Sequence, residues 1–173
     1  MNSNERRRVV VAKSESESRR TQVRIASERE VIVTRTFDAP ARLVFRAWAE
    51  PELFRKWWVP RSMGMTLRSC EMDVRTGGKY RLEFGDDPAN PMAFFGTYLD
   101  VVPGKRIVWT NEESGEAASV TTVTLEERDG KTLLVMSEVY PTREAFDAAG
   151  TGAQEATVET FEQLDELLAE LAA

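Results

Sequence analysis

The stretch Phe161–Leu171, FEQLDELLAEL, decides which kind of fold the chain adopts. Its apolar residues recur three and four positions apart, and they are Phe161, Leu164, Leu167, Leu168 and Leu171. This spacing is typical of an amphipathic helix with one apolar face. Acidic residues fill most of the other positions and there is no Lys or Arg, so we expect the opposite face in solvent. The apolar face of such a helix must pack against another element of the chain.

Ahead of this helix, short alternating segments separated by turn residues predict a run of strands. The segments are 65–74, 79–84, 92–102, 105–112, 119–128 and 131–140. Gly77-Gly78, Pro103-Gly104 and Asp129-Gly130 are suitable turn sequences between them. Strands joined by such short turns pair with their neighbours along the chain, so the pattern predicts an antiparallel meander.

The segment before the meander predicts one more strand and two short helices. Residues 30–37, EVIVTRTF, are rich in β-branched residues and indicate a strand. Asp38 and Pro40 fit the start of a helix over about 40–49, and Pro51 opens a second helix through residue 57. The predicted fold is therefore α+β, with a curved antiparallel sheet of about seven strands around the long C-terminal helix. The two short helices follow the first strand, and one domain spans residues 23–173.

Residues 1–22 are predicted to be a disordered basic leader, because they contain the low-complexity segment KSESESRR at 13–20. The first 29 residues carry a net charge of +4, so the remainder carries −10 of the total of −6. A body this acidic repels a phosphate backbone, so we expect no nucleic-acid partner.

The chain contains no histidine and one cysteine, Cys70. These counts exclude a Ser-His-Asp or Cys-His catalytic site and a zinc site of the usual nitrogen and sulfur ligands. We therefore expect no metal, no cofactor and no catalytic residue of those classes. No apolar run reaches the length of a membrane span, and a lone cysteine suits a reducing compartment, so the predicted location is cytoplasmic.

Several motifs occur in a characteristic order and carry a resemblance to a known family. They are TRTFDAP at 34–40, AEPELFRKWW at 49–58, CEMDVRTGG at 70–78, GTYLDVVPGKRIVWT at 96–110 and the closing helix. Together they resemble the bacterial branch of the family named for the activator of the heat-shock-protein-90 ATPase, within the START-like (SRPBCC) superfamily. The resemblance implies a helix-grip fold, in which the sheet and the last helix enclose a ligand cavity. Members usually carry a Gly-Trp pair early in that helix, where this chain has Glu155-Ala156-Thr157-Val158.

The predicted cavity walls are mostly aromatic. The resemblance places Trp57 and Trp58 near the cavity opening, although one or both could also be core residues. Alternation and helical spacing place other rings on the apolar face, namely Tyr80, Phe95, Trp109 and Phe161. Glu138 is the predicted polar contact if its strand register turns it inward, and the pattern leaves that register open.

The first functional hypothesis is the binding of a small hydrophobic or amphipathic molecule of lipid, aromatic or polyketide type, as a carrier or a sensor. The second is a cyclase or dehydratase that uses a cavity carboxylate or tyrosine for proton transfer, which would require an ionisable group deep in the cavity. The third is a chaperone-partner protein, which would require an exposed contact patch and little internal cavity. The oligomeric state is left open.

Overall fold

The computed structural model describes residues 20–113, 115, 118–149 and 152–173, and it is built on one eight-stranded antiparallel sheet. The strands are β1 (Gln22–Ile25), β2 (Glu30–Phe37), β3 (Leu67–Met72), β4 (Lys79–Phe84), β5 (Met92–Val102), β6 (Arg106–Asn111), β7 (Ser119–Arg128) and β8 (Lys131–Val139). Their order in the sheet is β1-β2-β8-β7-β6-β5-β4-β3. Strands β3 to β8 therefore form the meander that the sequence predicts.

The helices are α1 (Ala41–Ala49), α2 (Pro51–Phe54), α3 (Arg143–Ala149) and α4 (Gly152–Ala172), with a 3-10 turn at Arg61–Met63. Pro51 occupies the start of α2, where its missing N–H costs no helical hydrogen bond. This helix ends at Phe54, three residues before the predicted end, and the chain continues as turns through Trp57. The two short helices and the long C-terminal helix are confirmed.

The sheet has one strand more than the sequence indicates. The extra strand β1 pairs with β2, from Gln22 opposite Thr34 to Ile25 opposite Val31. All four of its residues are exposed, so it lacks the alternation by which a half-buried strand is recognised. Most of the predicted leader, residues 1–19, lies outside the described residues.

The turn between β7 and β8 shows how local sequence sets the register of the meander. Asp129 and Gly130 both have positive φ, 53° and 75°, as a two-residue type I′ turn requires. The turn brings Arg128 opposite Lys131, and the pairing continues to Val120 opposite Val139. Buried and more exposed residues alternate along β7, so one face of the sheet is turned towards the interior.

Helix α4 fills much of that interior. Phe161, Leu164 and Leu168 are at most 2% exposed and belong to one hydrophobic cluster with Phe37 and Leu134 of the sheet. The Phe161 and Phe37 rings meet edge to face, with centroids 5.6 Å apart. The helix is thus gripped by the sheet, which confirms the α+β helix-grip architecture.

Candidate ligand cavity

A cavity of about 370 Å³ lies inside the fold, between the sheet and the helices. Strands β3 to β6 form one wall, and α1, α2 and the segment 58–65 form another. Helix α4 contributes Ala156, Thr157 and Thr160. These are small side chains, whereas the next turns of the same helix carry Phe161 and Leu164. The cavity exists because the early turns of α4 do not fill the space that the later turns fill.

An aromatic cluster builds the helical wall of the cavity. Trp48 of α1 is its centre, with ring centroids 4.7 Å from Trp57 and 5.7 Å from Trp58 and Trp109. Trp58 also stacks on Phe54 at 4.8 Å. Two of these contacts are edge to face, one is tilted and one is stacked, so the rings of this wall pack tightly against one another.

Tyr80 and Trp109 form the aromatic part of the sheet wall, and one glycine makes their arrangement possible. Gly96 lies opposite Tyr80 in the β4–β5 ladder, and a Cβ there would come 1.8 Å from the Thr110 carbonyl oxygen and 2.9 Å from the Tyr80 ring. The Tyr80 hydroxyl therefore reaches past β5 and donates to the Thr110 carbonyl at 2.9 Å. The Trp109 indole N–H donates to Asn111 Oδ1 at 3.2 Å.

A hydrogen-bonded network leads from the cavity wall to Glu138. The Asn111 amide lines the cavity and donates to Ser119 Oγ at 3.0 Å and to Thr121 Oγ1 at 2.9 Å. Ser119 in turn donates to Glu138 Oε1 at 2.7 Å. Burial raises the pKa of the Glu138 carboxyl, while the hydrogen bonds from Ser119 and Tyr140 oppose that shift. The carboxyl is half-buried and lies outside the lining, so Ser119 and Asn111 separate this predicted polar contact from the ligand space.

Exposed apolar side chains mark the mouth of the cavity. Among the lining residues, Met63 is 57% exposed, Met92 48% and Phe94 36%. Met65 and Met72 continue the thioether surface into the cavity. Methionine side chains are flexible and polarizable, so such a mouth adapts to more than one apolar shape.

Charged groups are absent from the described part of the lining, which contains no Asp, Glu, Lys or Arg. The described residues likewise contain no cluster of His, Cys, Asp or Glu that would hold a metal ion. Within that same part of the chain, no helix is long and apolar enough to cross a bilayer. The described lining is therefore apolar, and the polar groups in it are uncharged.

The family described as Activator of Hsp90 ATPase homolog 1-like protein matches residues 38–169 of this chain. The chain belongs to this family. Its START-like fold recurs in solved structures of bacterial proteins. One from Rhodobacter sphaeroides has a TM-score of 0.77 at 24% identity and covers 87% of this chain and 99% of its own. One from Nitrosomonas europaea has a TM-score of 0.75 at 25% identity and covers 85% of this chain and 98% of its own. One from Chromobacterium violaceum has a TM-score of 0.68 at 28% identity and covers 81% of this chain and 97% of its own.

No curated protein is significantly similar to the chain. Membership of the Hsp90-ATPase-activator-like family and the START-like fold therefore rest on the family match and on these structures. The function has to be argued from the cavity itself.

The structure brings only part of the predicted site together. Trp58, Tyr80 and Trp109 line the cavity. Trp57 is fully buried outside the lining, and its indole N–H donates to the Ala47 carbonyl at 2.9 Å. Phe161 is also fully buried, 6.4 Å from the Trp48 ring, so both side chains support the wall without facing the ligand space.

Phe95 lies outside the lining, and Phe94 takes the place predicted for it. Neighbouring residues of a strand point to opposite faces, so the assignment depends on the register of β5. Phe95 pairs with Arg81 of β4, whose guanidinium lies 5.6 Å from the ring centroid. Gly96 is the residue that could have identified Phe94 from the sequence. Gly96 and Tyr98 are buried, and residues two apart on a strand lie on the same face, so Phe94 shares that face.

Sequence reasoning also missed Trp48, Tyr98 and the methionines. Trp48 lies within the predicted helix over 40–49, but helical spacing alone does not separate core positions from cavity walls. The cavity-facing role of Met63 and Met65 depends on how the irregular segment 58–65 folds over the mouth, and this segment has no periodicity that would reveal it.

Proposed function

We propose that the protein binds a small hydrophobic or amphipathic molecule in this cavity, as a carrier or a sensor. The observation that carries the proposal is the hollow of about 370 Å³ with aromatic and thioether walls. Small-molecule sites are typically concave and mostly apolar, with volumes of about 300–1,000 Å³. Binding would remove the apolar surfaces of both partners from water, and this is favourable by roughly 25 cal/mol per Å².

The alternative of a cyclase or dehydratase has less support. Such an enzyme needs an ionisable group against the substrate, and none of the described lining residues is Asp, Glu or Lys. Burial raises the pKa of both Tyr80 and Tyr98, so these phenols hold their protons at neutral pH and are poor bases. Glu138 is separated from the cavity by Ser119 and Asn111.

The alternative of a chaperone-partner protein rests on the name of the family. A protein whose work is done on its outer surface has no need of an internal apolar hollow, and a hollow lowers stability because its walls lose packing contacts. The cavity therefore favours a ligand inside the fold. We also infer a cytoplasmic location, since the half-buried Cys70 has no disulfide partner and suits a reducing compartment.

Two adjacent phenylalanines on β5 provide a matched test of the proposed site. Phe94 lines the cavity and Phe95 does not, yet they are 36% and 37% exposed. The probe is N-phenyl-1-naphthylamine, a neutral apolar dye that fluoresces when it leaves water. We expect Phe94→Glu to weaken its binding about tenfold or more, because a carboxylate in the apolar wall must give up hydration when the dye enters. Phe95→Glu should bind like the wild type.

The proposal is overturned if the wild-type protein does not bind the dye, or if the two variants lose binding equally. Thermal unfolding of both variants checks that each is folded. Native mass spectrometry of protein purified from a bacterial lysate would then identify a naturally bound molecule by its mass.

A further inference from the structure

Tyr98 on the cavity wall has a polar group that no described residue satisfies. It lines the cavity and is 5% exposed, and its ring lies 5.6 Å from that of Tyr80. The Tyr80 hydroxyl has protein partners, whereas the hydroxyl of Tyr98 forms no hydrogen bond with any residue that the structure describes. A buried hydroxyl usually has a partner, because leaving it without one costs free energy.

Trp48 also has a polar group without a partner, but a ligand cannot reach it. Its indole Nε1–H has no hydrogen-bond partner among the described residues, yet the atom is enclosed by protein although the side chain lines the cavity. The Tyr98 hydroxyl differs, because it belongs to the lining and can donate its proton to an acceptor in the cavity.

Asn111 and Trp109 of the wall already use their polar groups. Asn111 donates both amide hydrogens, to Ser119 and Thr121, and its carbonyl accepts from Trp109. A ligand that bonded to Asn111 would have to break one of these bonds. The Tyr98 hydroxyl, in contrast, is a donor of the wall that a ligand can use without breaking a bond within the protein.

The charge of the lining limits the ligand further. With no Lys or Arg among the described lining residues, a ligand carboxylate or phosphate would lose its hydration without gaining a cation. A neutral oxygen, as in a ketone, an ester or an ether, loses much less hydration and still accepts a hydrogen bond.

We propose that the ligand is a neutral molecule with an apolar body and an acceptor oxygen, to which the Tyr98 hydroxyl donates inside the cavity. This inference rests on the proposed function, because it names the ligand class of the same site. It separates carbonyl- or ether-bearing rings and chains from fatty-acid anions, which have the same apolar character but the wrong head group.

The test uses three compounds of similar shape: 2-acetylnaphthalene, 2-isopropylnaphthalene and 2-naphthoate at neutral pH. Calorimetry or tryptophan quenching gives their affinities for the wild type and for Tyr98→Phe, which deletes only the hydroxyl. We expect the variant to bind the ketone about two- to tenfold more weakly and the hydrocarbon equally well, since one net hydrogen bond is lost. In the wild type, the carboxylate should bind about tenfold or more weakly than the ketone.

Tyr140→Phe is the matched control, because Tyr140 is a buried tyrosine outside the lining. We expect it to leave the three affinities unchanged. The inference is overturned if Tyr98→Phe weakens ketone and hydrocarbon alike, or if the carboxylate binds as tightly as the ketone. The comparison of ketone with carboxylate uses only the wild type, so it tests the inferred ligand class even if Tyr98→Phe folds poorly. If the hydrocarbon and the ketone both fail to bind the wild type, the proposed function itself fails.

Discussion

The interior of this protein has two ends that are covered by the same helix and the same sheet, yet one is filled and the other is hollow. At the filled end, Leu164 and Leu168 of α4 are at most 2% exposed and pack with Phe37 and Leu134. At the hollow end, the helix offers Ala156 and the Thr157 and Thr160 side chains, and the cavity of about 370 Å³ begins there.

The difference shows that side-chain size along one helix decides where core ends and cavity begins. Protein interiors are otherwise packed about as densely as organic crystals. A hollow keeps its shape where its walls are well packed, and here the aromatic cluster around Trp48 packs one wall. Stability and binding are thus assigned to neighbouring parts of one continuous apolar interior.

The largest expected effect compares two leucines, one from each end. Leu164→Ala should lower the free energy of unfolding by about 3–5 kcal/mol, because the deleted atoms are surrounded by packed neighbours. Leu82 is 3% exposed but lines the cavity, so one side of it already faces empty space. We expect Leu82→Ala to cost about 2 kcal/mol or less. Urea unfolding of both variants measures the difference, and equal costs would contradict a hollow beside Leu82.

The sequence was sufficient to predict the filled end and most of the fold. The stripe from Phe161 to Leu171 indicated the gripped helix, and Asp129-Gly130 indicated the turn that sets the β7–β8 register. These signals are local, since each depends on the spacing or the conformation of neighbouring residues. The same reasoning missed β1, whose four exposed residues carry no alternation.

The hollow end was predictable only in part, because a cavity is defined by atoms that are missing. Apolar residues that face a hollow and those that face a core have the same pattern, so Trp57 and Phe161 could not be told apart from Trp58. The alternation on β5 predicted Phe95 as a wall residue, whereas its neighbour Phe94 lines the cavity. The vacant hydroxyl of Tyr98 depends on which partners lie within reach, and only three-dimensional contacts show this.

A smaller effect is expected from filling the hollow through Thr160, which is 5% exposed and lines the cavity. Thr160→Leu adds apolar volume where space is free and should raise the free energy of unfolding by about 0.5–2 kcal/mol. The same change should weaken the binding of N-phenyl-1-naphthylamine. Thr160→Val is the control, since it removes the hydroxyl without adding volume. Stabilisation with unchanged dye binding would show that the ligand does not occupy the α4 side of the hollow.

The smallest expected effect is a pH dependence of the free energy of unfolding. It arises from Glu138, in the polar network behind the hollow end. Burial raises the pKa of Glu138 above its ordinary value of 4.5, so the folded state binds this proton more tightly than the unfolded state. The stability that this difference provides is complete below the ordinary pKa and is lost as the pH rises through the folded-state pKa. Glu138→Gln retains an oxygen that accepts from Ser119 but does not titrate. Its free energy of unfolding, relative to the wild type, should therefore increase from about pH 4 to about pH 7.

Urea unfolding at several pH values between these limits measures the trend for the wild type and the Gln variant. Glu71→Gln, at an exposed position of β3, controls for the loss of one acidic charge. If the difference between Glu138→Gln and the wild type is the same at every pH, the Glu138 carboxyl is not shielded from water. A difference that grows with pH instead supports a partly buried carboxyl, held behind Asn111 and Ser119 by the hydrogen bonds of the network.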